Sequence, residues 1–82
     1  MHSSQVEKAS CDLAELGNRI RAGRLDAGLT QENLAHESDI DRSYIGSVER
    51  GERNLTFSML CKIAKALDCD VATLTKGLPR KQ

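Results

Sequence analysis

The chain has 82 residues and carries 12 basic and 12 acidic residues, so its formal net charge at pH 7 is zero. A chain of this length forms one domain, and its balanced charge argues against a protein that binds polyanions indiscriminately. Two aromatic residues, one proline and six glycines leave too little turn material for the many hairpins of an all-β domain. There is no apolar run of transmembrane length and no secretory signal, so we expect a cytoplasmic protein without membrane contact.

Residues that carry chemistry are few. The three cysteines include no CxxC pair, and the two histidines lie near none of them at ligand spacing, which predicts reduced thiols and no metal site. Neither histidine stands near a plausible nucleophile, and there is no glycine-rich phosphate loop. We therefore expect no enzymatic activity, no cofactor, no metal and no small-molecule ligand.

Apolar spacing predicts a first helix from Leu13, because Leu13, Leu16 and Ile20 recur at steps of three and four residues. Gly28 is a natural stop for this helix. Thr30 can then cap a second helix, in which Leu34 and Ala35 face inward. The first ten residues are polar and read either as disordered or as a frayed helix start.

Three further helices follow in the second half of the chain. Asp41 can cap a third helix, and Gly51 ends it. Thr56 can cap a fourth helix with a wide apolar stripe, and Asp70 a short fifth one that Gly77 and Pro79 stop. The stripe consists of Phe57, Leu60, Cys61, Ile63, Ala64 and Leu67. We expect an N-terminal extension (1–12), one helical domain (13–77) and a frayed tail (78–82).

The segment QENLAHESDIDRSYIGSVER, from Gln31 to Arg50, has the form of a helix-turn-helix. Two short helices with a tight link would share a core, and a small residue, Ala35, stands where they approach each other. The core residues would be Leu34, Ile40, Ile45 and Val48. The outer face of the second of these helices would be polar and suited to approach base edges, with Arg42, Ser43, Gly46 and Ser47.

In these features the chain resembles the Xre/Cro family of phage repressors. The resemblance covers about residues 13–76 in the strings LGNRIRAGRLDAGLTQENLA, DRSYIGSVERGERNLT and LCKIAKALDCDVATL. It implies an all-α, lambda-repressor-like fold. The chain departs from the family at Asp39, where Gly is usual in the turn, and at Leu55, where Pro is common. The string DRSYI followed by ERGERNLT is especially similar to the controller proteins of restriction–modification systems, which are small dimeric transcription regulators.

The resemblance implies roles in DNA binding for residues in and around the third helix. Base contacts are expected from Arg42, Ser43 and Ser47, and contacts to the DNA backbone from Gln31, Tyr44, Arg53 and Asn54. The guanidinium of Arg42 can contact O6 and N7 of guanine together, although a phosphate contact or a solvated charge is the alternative. The serines could be ordinary surface residues, and Tyr44 could pack against the protein. In the family, Gln31 also braces the recognition helix.

The resemblance further implies an ion pair between Arg24 and Glu49. It implies a homodimer through the fifth helix, where Val71 and Leu74 would be half exposed in a monomer. Acidic residues of the second helix, Glu32 and Glu37, could contact the σ subunit of RNA polymerase, with a solvated helix face as the alternative.

The sequence therefore predicts a transcription regulator that binds a pseudo-palindromic operator in double-stranded DNA as a homodimer. An antitoxin that binds a toxin and DNA is the competing hypothesis. The segments available to bind a toxin would be residues 1–12 and the short tail.

Overall fold

The computed structural model describes residues 2–80, and it describes side chains for residues 11–80. Five helices follow one another along the chain. They are α1 (His2–Asp26), α2 (Gln31–Ser38), α3 (Arg42–Glu49), α4 (Phe57–Ala66) and α5 (Val71–Thr75). The predicted all-α, five-helix fold is confirmed. None of the helices described between residues 2 and 80 has the length and apolarity needed to cross a membrane.

Polar side chains fix the starts of α2 to α5. In each case the residue before the helix accepts a hydrogen bond from a backbone amide of the first turn. These amides have no partner inside the helix, so the caps satisfy donors that would otherwise need water. The capping residues are the four that the sequence predicts, namely Thr30, Asp41, Thr56 and Asp70.

The first helix begins earlier than the sequence predicts. Its spacing predicts a start near Leu13, whereas α1 runs from His2 without a break. Residues 2–16 contain neither glycine nor proline, so nothing in this segment interrupts helical hydrogen bonding. The boundary predicted between residues 12 and 13 lies inside this continuous helix.

Two turns around α2 set the direction of the chain into the helix-turn-helix. At the end of α1, Gly28 has φ +75°, and the amides of Gly28 and Leu29 bond the carbonyls of Leu25 and Arg24, both at 3.0 Å. At the end of α2, Asp39 takes the left-handed conformation with φ 57° and ψ 44°. Asp39 thus adopts the left-handed conformation at the turn position where the resemblance leads us to expect glycine.

The core lies between all five helices. The helix α3 contacts α1 and α2, while α5 contacts α1 and α4. A Cβ atom at Gly17 would lie only 2.5 Å from the carbonyl oxygen of Val48, so α1 crosses the end of α3 in direct backbone contact. The buried apolar residues are Leu16, Ile20, Leu34, Ala35, Ile40, Ile45, Val48, Leu60, Ile63, Ala64 and Leu74.

The apolar stripe predicted for α4 is wrong at one position. Leu60, Ile63 and Ala64 are buried, but Phe57 is 71% exposed. Phe57 is the first residue of α4, where the helix has not yet reached the core. Periodicity places Phe57 near the buried side, but it does not show where the core ends.

The predicted frayed tail is wrong for residues 78–80, and residues 81–82 lie outside the described part. Leu78 packs against the core. The backbone amide of Arg80 donates to Asp12 Oδ1 at 3.1 Å, and its guanidinium pairs with Glu15 Oε1 at 2.7 Å. The guanidinium of Arg19 donates to the carbonyl of Lys76 at 2.6 Å. Polar contacts to α1 therefore hold the segment that follows α5.

Candidate nucleic-acid interface

The helices α2 and α3 form the helix-turn-helix that the sequence predicts. Residues 39–41 alone separate them, and the amide of Ile40 donates to the carbonyl of Ala35 at 3.0 Å. The four predicted core residues of the motif, Leu34, Ile40, Ile45 and Val48, are all buried. The orientation of α3 is therefore set by apolar packing against α2 and α1.

A buried ion pair holds the far end of α3. Arg24 on α1 and Glu49 at the end of α3 are each only 7% exposed. The Nε atom of Arg24 lies 2.6 Å from Glu49 Oε2, and a second bond joins the same two side chains at 3.1 Å. Such a bidentate pair fixes angles as well as distance. The same guanidinium donates to the carbonyl of Leu29 at 2.9 Å, which ties in the turn before α2.

Gln31 completes this group of polar contacts. Its amide nitrogen donates to Glu49 Oε1 at 3.1 Å, so the first residue of α2 is bonded to the last residue of α3. We call the set Arg24, Gln31 and Glu49 the α3 brace. Its members lie on α1, α2 and α3, so the brace joins the three helices of the site through side chains.

The opposite end of α3 is exposed and polar. Asp41, Arg42 and Ser43, which we call the recognition tip, are all exposed. Among the described residues, no hydrogen bond or ion pair engages the guanidinium of Arg42. One shallow surface groove is lined by residues from the first turns of both helices, including Gln31 of α2 and Arg42 of α3. The amide dipoles of these helix starts favour an anion there.

The carboxylate of Asp41 organises the recognition tip. It accepts the backbone amide of Ser43 at 3.0 Å and also the hydroxyl of Ser43. The hydroxyl bond, with help from the amide, holds the pKa of the Asp41 carboxyl below its ordinary value. The sequence indicates the capping role of Asp41, but it gives no sign of this second bond.

Two positions predicted on the exposed face of α3 are buried. Ser47 is 5% exposed, and Gly46 is buried as well. The hydroxyl of Ser47 donates to the carbonyl of Tyr44 at 2.8 Å and accepts from Arg53 Nε at 3.1 Å. A Cβ atom at Gly46 would lie 3.3 Å from the guanidinium of Arg50. Side chains from neighbouring segments thus cover this part of α3, which helical periodicity alone does not reveal.

Arg53 is held in place beside α3. Its guanidinium carbon lies 5.1 Å from the ring centroid of Tyr44, within the range of a cation–π interaction. Together with the bond to Ser47, this contact links the loop after α3 to the middle of the helix. Asn54 is exposed beside Arg53, and Tyr44 is half buried. The nearby Arg50 is engaged with Glu52 at 3.1 Å on the surface.

Val71 and Leu74, the two residues expected at the dimer interface, differ in their exposure to solvent. Val71 is half buried, but Leu74 is only 3% exposed and belongs to the core of the single chain. The half exposure predicted for Leu74 is therefore wrong, because α5 turns this side chain toward α1 and α4. Val71 borders an open groove between α4 and α5, whose lining also includes Cys61, Ala64 and Cys69.

Comparison with known proteins agrees with this geometry. Residues 20–74 match the family model described as "Helix-turn-helix". Control protein C.SmaI of Serratia marcescens is 46% identical over 69 residues, which cover 82% of each chain. The immunity repressor protein of Bacillus phage phi105 is 37% identical over 59 residues, covering 72% of this chain and 41% of the repressor.

A solved structure shows the same arrangement of helices. The restriction-modification controller protein C.AhdI from Aeromonas hydrophila superposes with a TM-score of 0.77 and 47% identity, over 78% of this chain and 97% of that chain. The family match covers more than half of the 82 residues. The chain therefore belongs to the helix-turn-helix family of DNA-binding transcription regulators, and within it is similar to restriction–modification controller proteins.

Proposed function

We propose that this protein is a controller of restriction–modification genes that binds a pseudo-palindromic operator as a homodimer. The observation that carries the proposal is the exposed recognition tip at the end of a helix whose other end is locked by the α3 brace. A free guanidinium on a fixed helix is the arrangement that base readout needs, because its fork must meet a base edge in one orientation.

Base contacts come from Arg42 and Ser43 in this proposal. Both lie in the first turn of α3, where helix-turn-helix proteins approach base edges in the major groove. The buried hydroxyl of Ser47 already donates one bond and accepts another. We therefore assign Ser47 to positioning Arg53, in place of the base contact expected from the sequence.

Contacts to phosphates come from both sides of the recognition tip. Gln31 stands at the start of α2, where backbone amides favour a phosphate oxygen. Arg53, with Tyr44 beneath it and Asn54 beside it, extends the charged surface past the other end of the helix. Phosphate contacts of this kind fix the register of the protein on the duplex.

The dimer forms through the groove between α4 and α5. Val71 is half buried there, next to Cys61 and Ala64, so a second copy would cover apolar surface that one chain leaves open. A two-fold axis through this groove makes the contact self-complementary. The two recognition tips should then lie about 34 Å apart, one turn of DNA.

Selection of bound DNA from a random pool, followed by sequencing, tests the proposal. We expect a symmetric motif with two half-sites about 10 base pairs apart between centres. The mass of the protein at tens of micromolar should be that of a dimer. Enrichment of a single asymmetric half-site by a monomer would refute the dimer, and the absence of any enriched sequence would refute the whole proposal.

Contact with the σ subunit of RNA polymerase is a further part of the proposal. Glu32 and Glu37 are both exposed on α2, which places two carboxylates beside the DNA-binding surface. Replacing Glu32 with Gln should lower transcription from a promoter that the parent activates and leave affinity for the operator unchanged. Equal transcription from both proteins would reject this contact.

A further inference from the structure

We propose that Asp41 makes Ser43 a hydrogen-bond acceptor only, so that Ser43 selects an adenine or a cytosine through its exocyclic amino group. This inference rests on the proposed function, since it assumes that Ser43 meets a base edge. The inference concerns which base Ser43 recognises. The assignment of Ser43 to base readout does not by itself determine that base.

The argument begins with the proton inventory of the two side chains. A serine hydroxyl has one proton to donate and two lone pairs that accept. An ionised carboxylate has no proton, so it can only accept. In a hydrogen bond between Ser43 Oγ and Asp41 Oδ2 the proton must therefore come from the serine.

The carboxylate is kept in its ionised form. The hydroxyl and the amide of Ser43 both donate to it, and the positive charge of Arg42 adds a favourable interaction. These contacts hold the pKa of Asp41 below its ordinary value, so the group is ionised at neutral pH. A charged acceptor also forms a hydrogen bond roughly twice as strong as a neutral one, which keeps the serine proton directed toward the protein.

The remaining capacity of Ser43 is its lone pairs. Ser43 is exposed beside Arg42 in the first turn of α3, so its lone pairs are accessible from solvent on the surface that the proposed function brings to DNA. In the major groove, N6 of adenine and N4 of cytosine are donors, whereas O6 and N7 of guanine and O4 of thymine only accept. An acceptor-only serine bonds the first two bases and leaves the last two without a partner.

A second aspartate–hydroxyl pair in the chain lies outside the proposed DNA-binding surface. At the start of α5, Asp70 accepts the amide of Thr73 at 2.9 Å and the hydroxyl of Thr73 at 2.7 Å. The carboxylate and hydroxyl therefore form the same kind of bond at a helix that the proposed function does not place in the major groove of DNA. Thr73 is not among the residues that line the groove between α4 and α5, so Thr73→Val removes this bond without touching the proposed dimer contact. This variant should change stability without changing sequence preference, which makes it a control.

The first experiment changes the DNA base and compares the parent protein with Ser43→Ala. The position contacted by Ser43 is the one at which Ser43→Ala relaxes the preference found by random-pool selection. That position should hold adenine or cytosine in the operator of the parent. If it is adenine, replacing it with purine, which lacks the amino group, should weaken binding about tenfold, because the acceptor on Ser43 loses its partner. Replacing it with 7-deazaadenine, which lacks only N7, should leave affinity unchanged.

If it is cytosine, 2-pyrimidinone, which lacks the 4-amino group, should weaken binding about tenfold for the same reason. In either case Ser43→Ala should bind the analogue without the amino group as well as the natural base.

The second experiment changes the acceptor. Asp41→Gly removes it and retains most of the capping preference, whereas Asp41→Asn removes the charge and keeps an oxygen that can accept. Both variants should bind all DNA more tightly, because a negative charge leaves the interface. Only Asp41→Gly should lose the preference for adenine or cytosine at the Ser43 position, since its serine proton is free to donate to guanine or thymine.

The results separate this inference from the proposed function. Selection of guanine or thymine at the Ser43 position, or full affinity for DNA without the amino group, overturns the inference while base readout by Arg42 stands. Ser43→Ala with unchanged preferences at every position also overturns it. Failure to enrich any sequence with the parent overturns the proposed function and the inference together.

Discussion

The two ends of α3 are built in opposite ways. At its C-terminal end the α3 brace buries a charged pair, and Arg24 and Glu49 direct their charged groups to partners within the protein. At its N-terminal end the recognition tip leaves the guanidinium of Arg42 exposed beside a capped first turn. The contrast teaches that one end of the helix supplies orientation and the other supplies contacts. Substitutions at the two ends should therefore affect different measurements.

The largest effect should come from the α3 brace. Replacing Glu49 with Ala leaves the guanidinium of Arg24 buried without its carboxylate, which costs about 3–5 kcal/mol of unfolding free energy. This is a large part of the unfolding free energy of a small domain, which is about 5–15 kcal/mol. Urea denaturation checks it, with Glu52→Ala as the matched control, because the pair of Glu52 with Arg50 is exposed to solvent and should contribute little to stability. Equal losses in the two variants would contradict the structural role of the brace.

The next effect should come from the recognition tip and appear only in binding. Arg42→Ala should weaken operator binding by about 1–3 kcal/mol per half-site and relax the preference at one base pair. Its unfolding free energy should stay near that of the parent, since the side chain is exposed. Titration against the operator, single-base variants and random DNA decides the matter. An equal loss on operator and random DNA would make Arg42 a phosphate contact.

Arg53 should show a smaller effect with a different signature. If Arg53→Ala removes one phosphate contact per chain, affinity falls alike for all sequences and the slope of log affinity against log salt decreases by about one per contact. Titrations at several salt concentrations measure this slope. A loss of preference at one base pair would instead show that Arg53 contacts a base edge. Ser47→Ala serves as the positioning control, since this variant keeps the charge of Arg53 and removes the hydroxyl to which Arg53 donates a hydrogen bond.

The smallest effect concerns the surface carboxylates that cap helices. The hydroxyl of Thr73, followed by its amide, lowers the pKa of Asp70 in the folded chain. A depressed pKa means that the unfolded chain binds more protons near the ordinary value, so stability is complete above about pH 4 and declines as pH falls further. Asp70→Asn keeps a capping oxygen and cannot titrate, so its unfolding midpoint should vary less between pH 5 and pH 3. Identical pH profiles would exclude this contribution.

Much of the fold follows from local sequence signals. The caps at Thr30, Asp41, Thr56 and Asp70 depend only on a side-chain oxygen and the amides two or three residues later, so they can be predicted from neighbouring residues. The motif core is predictable for the same reason, because its spacing repeats the helical period. The turn at Asp39 is found through the resemblance, even though aspartate stands where glycine is usual.

The expectations that fail depend on contacts between distant segments. Leu74 and Val71 lie on the same short helix with similar apolarity, but only packing against α1 and α4 decides that Leu74 is buried in one chain. Ser47 is covered because Arg53 lies over it from the following loop. The tail is held by side chains of Asp12, Glu15 and Arg19, more than 50 residues away. Periodicity within one helix carries no information about such partners.

Ion pairs within the protein engage four of the seven arginines. Four are paired with carboxylates, namely Arg19, Arg24, Arg50 and Arg80. With a net charge of zero, little positive charge then remains to hold the molecule on an arbitrary stretch of the chromosome. Such a regulator should find its target mainly through repeated collisions from free solution, with short stays elsewhere. Occupancy of the operator would then follow the total amount of protein closely, because non-specific DNA withdraws few molecules from the search.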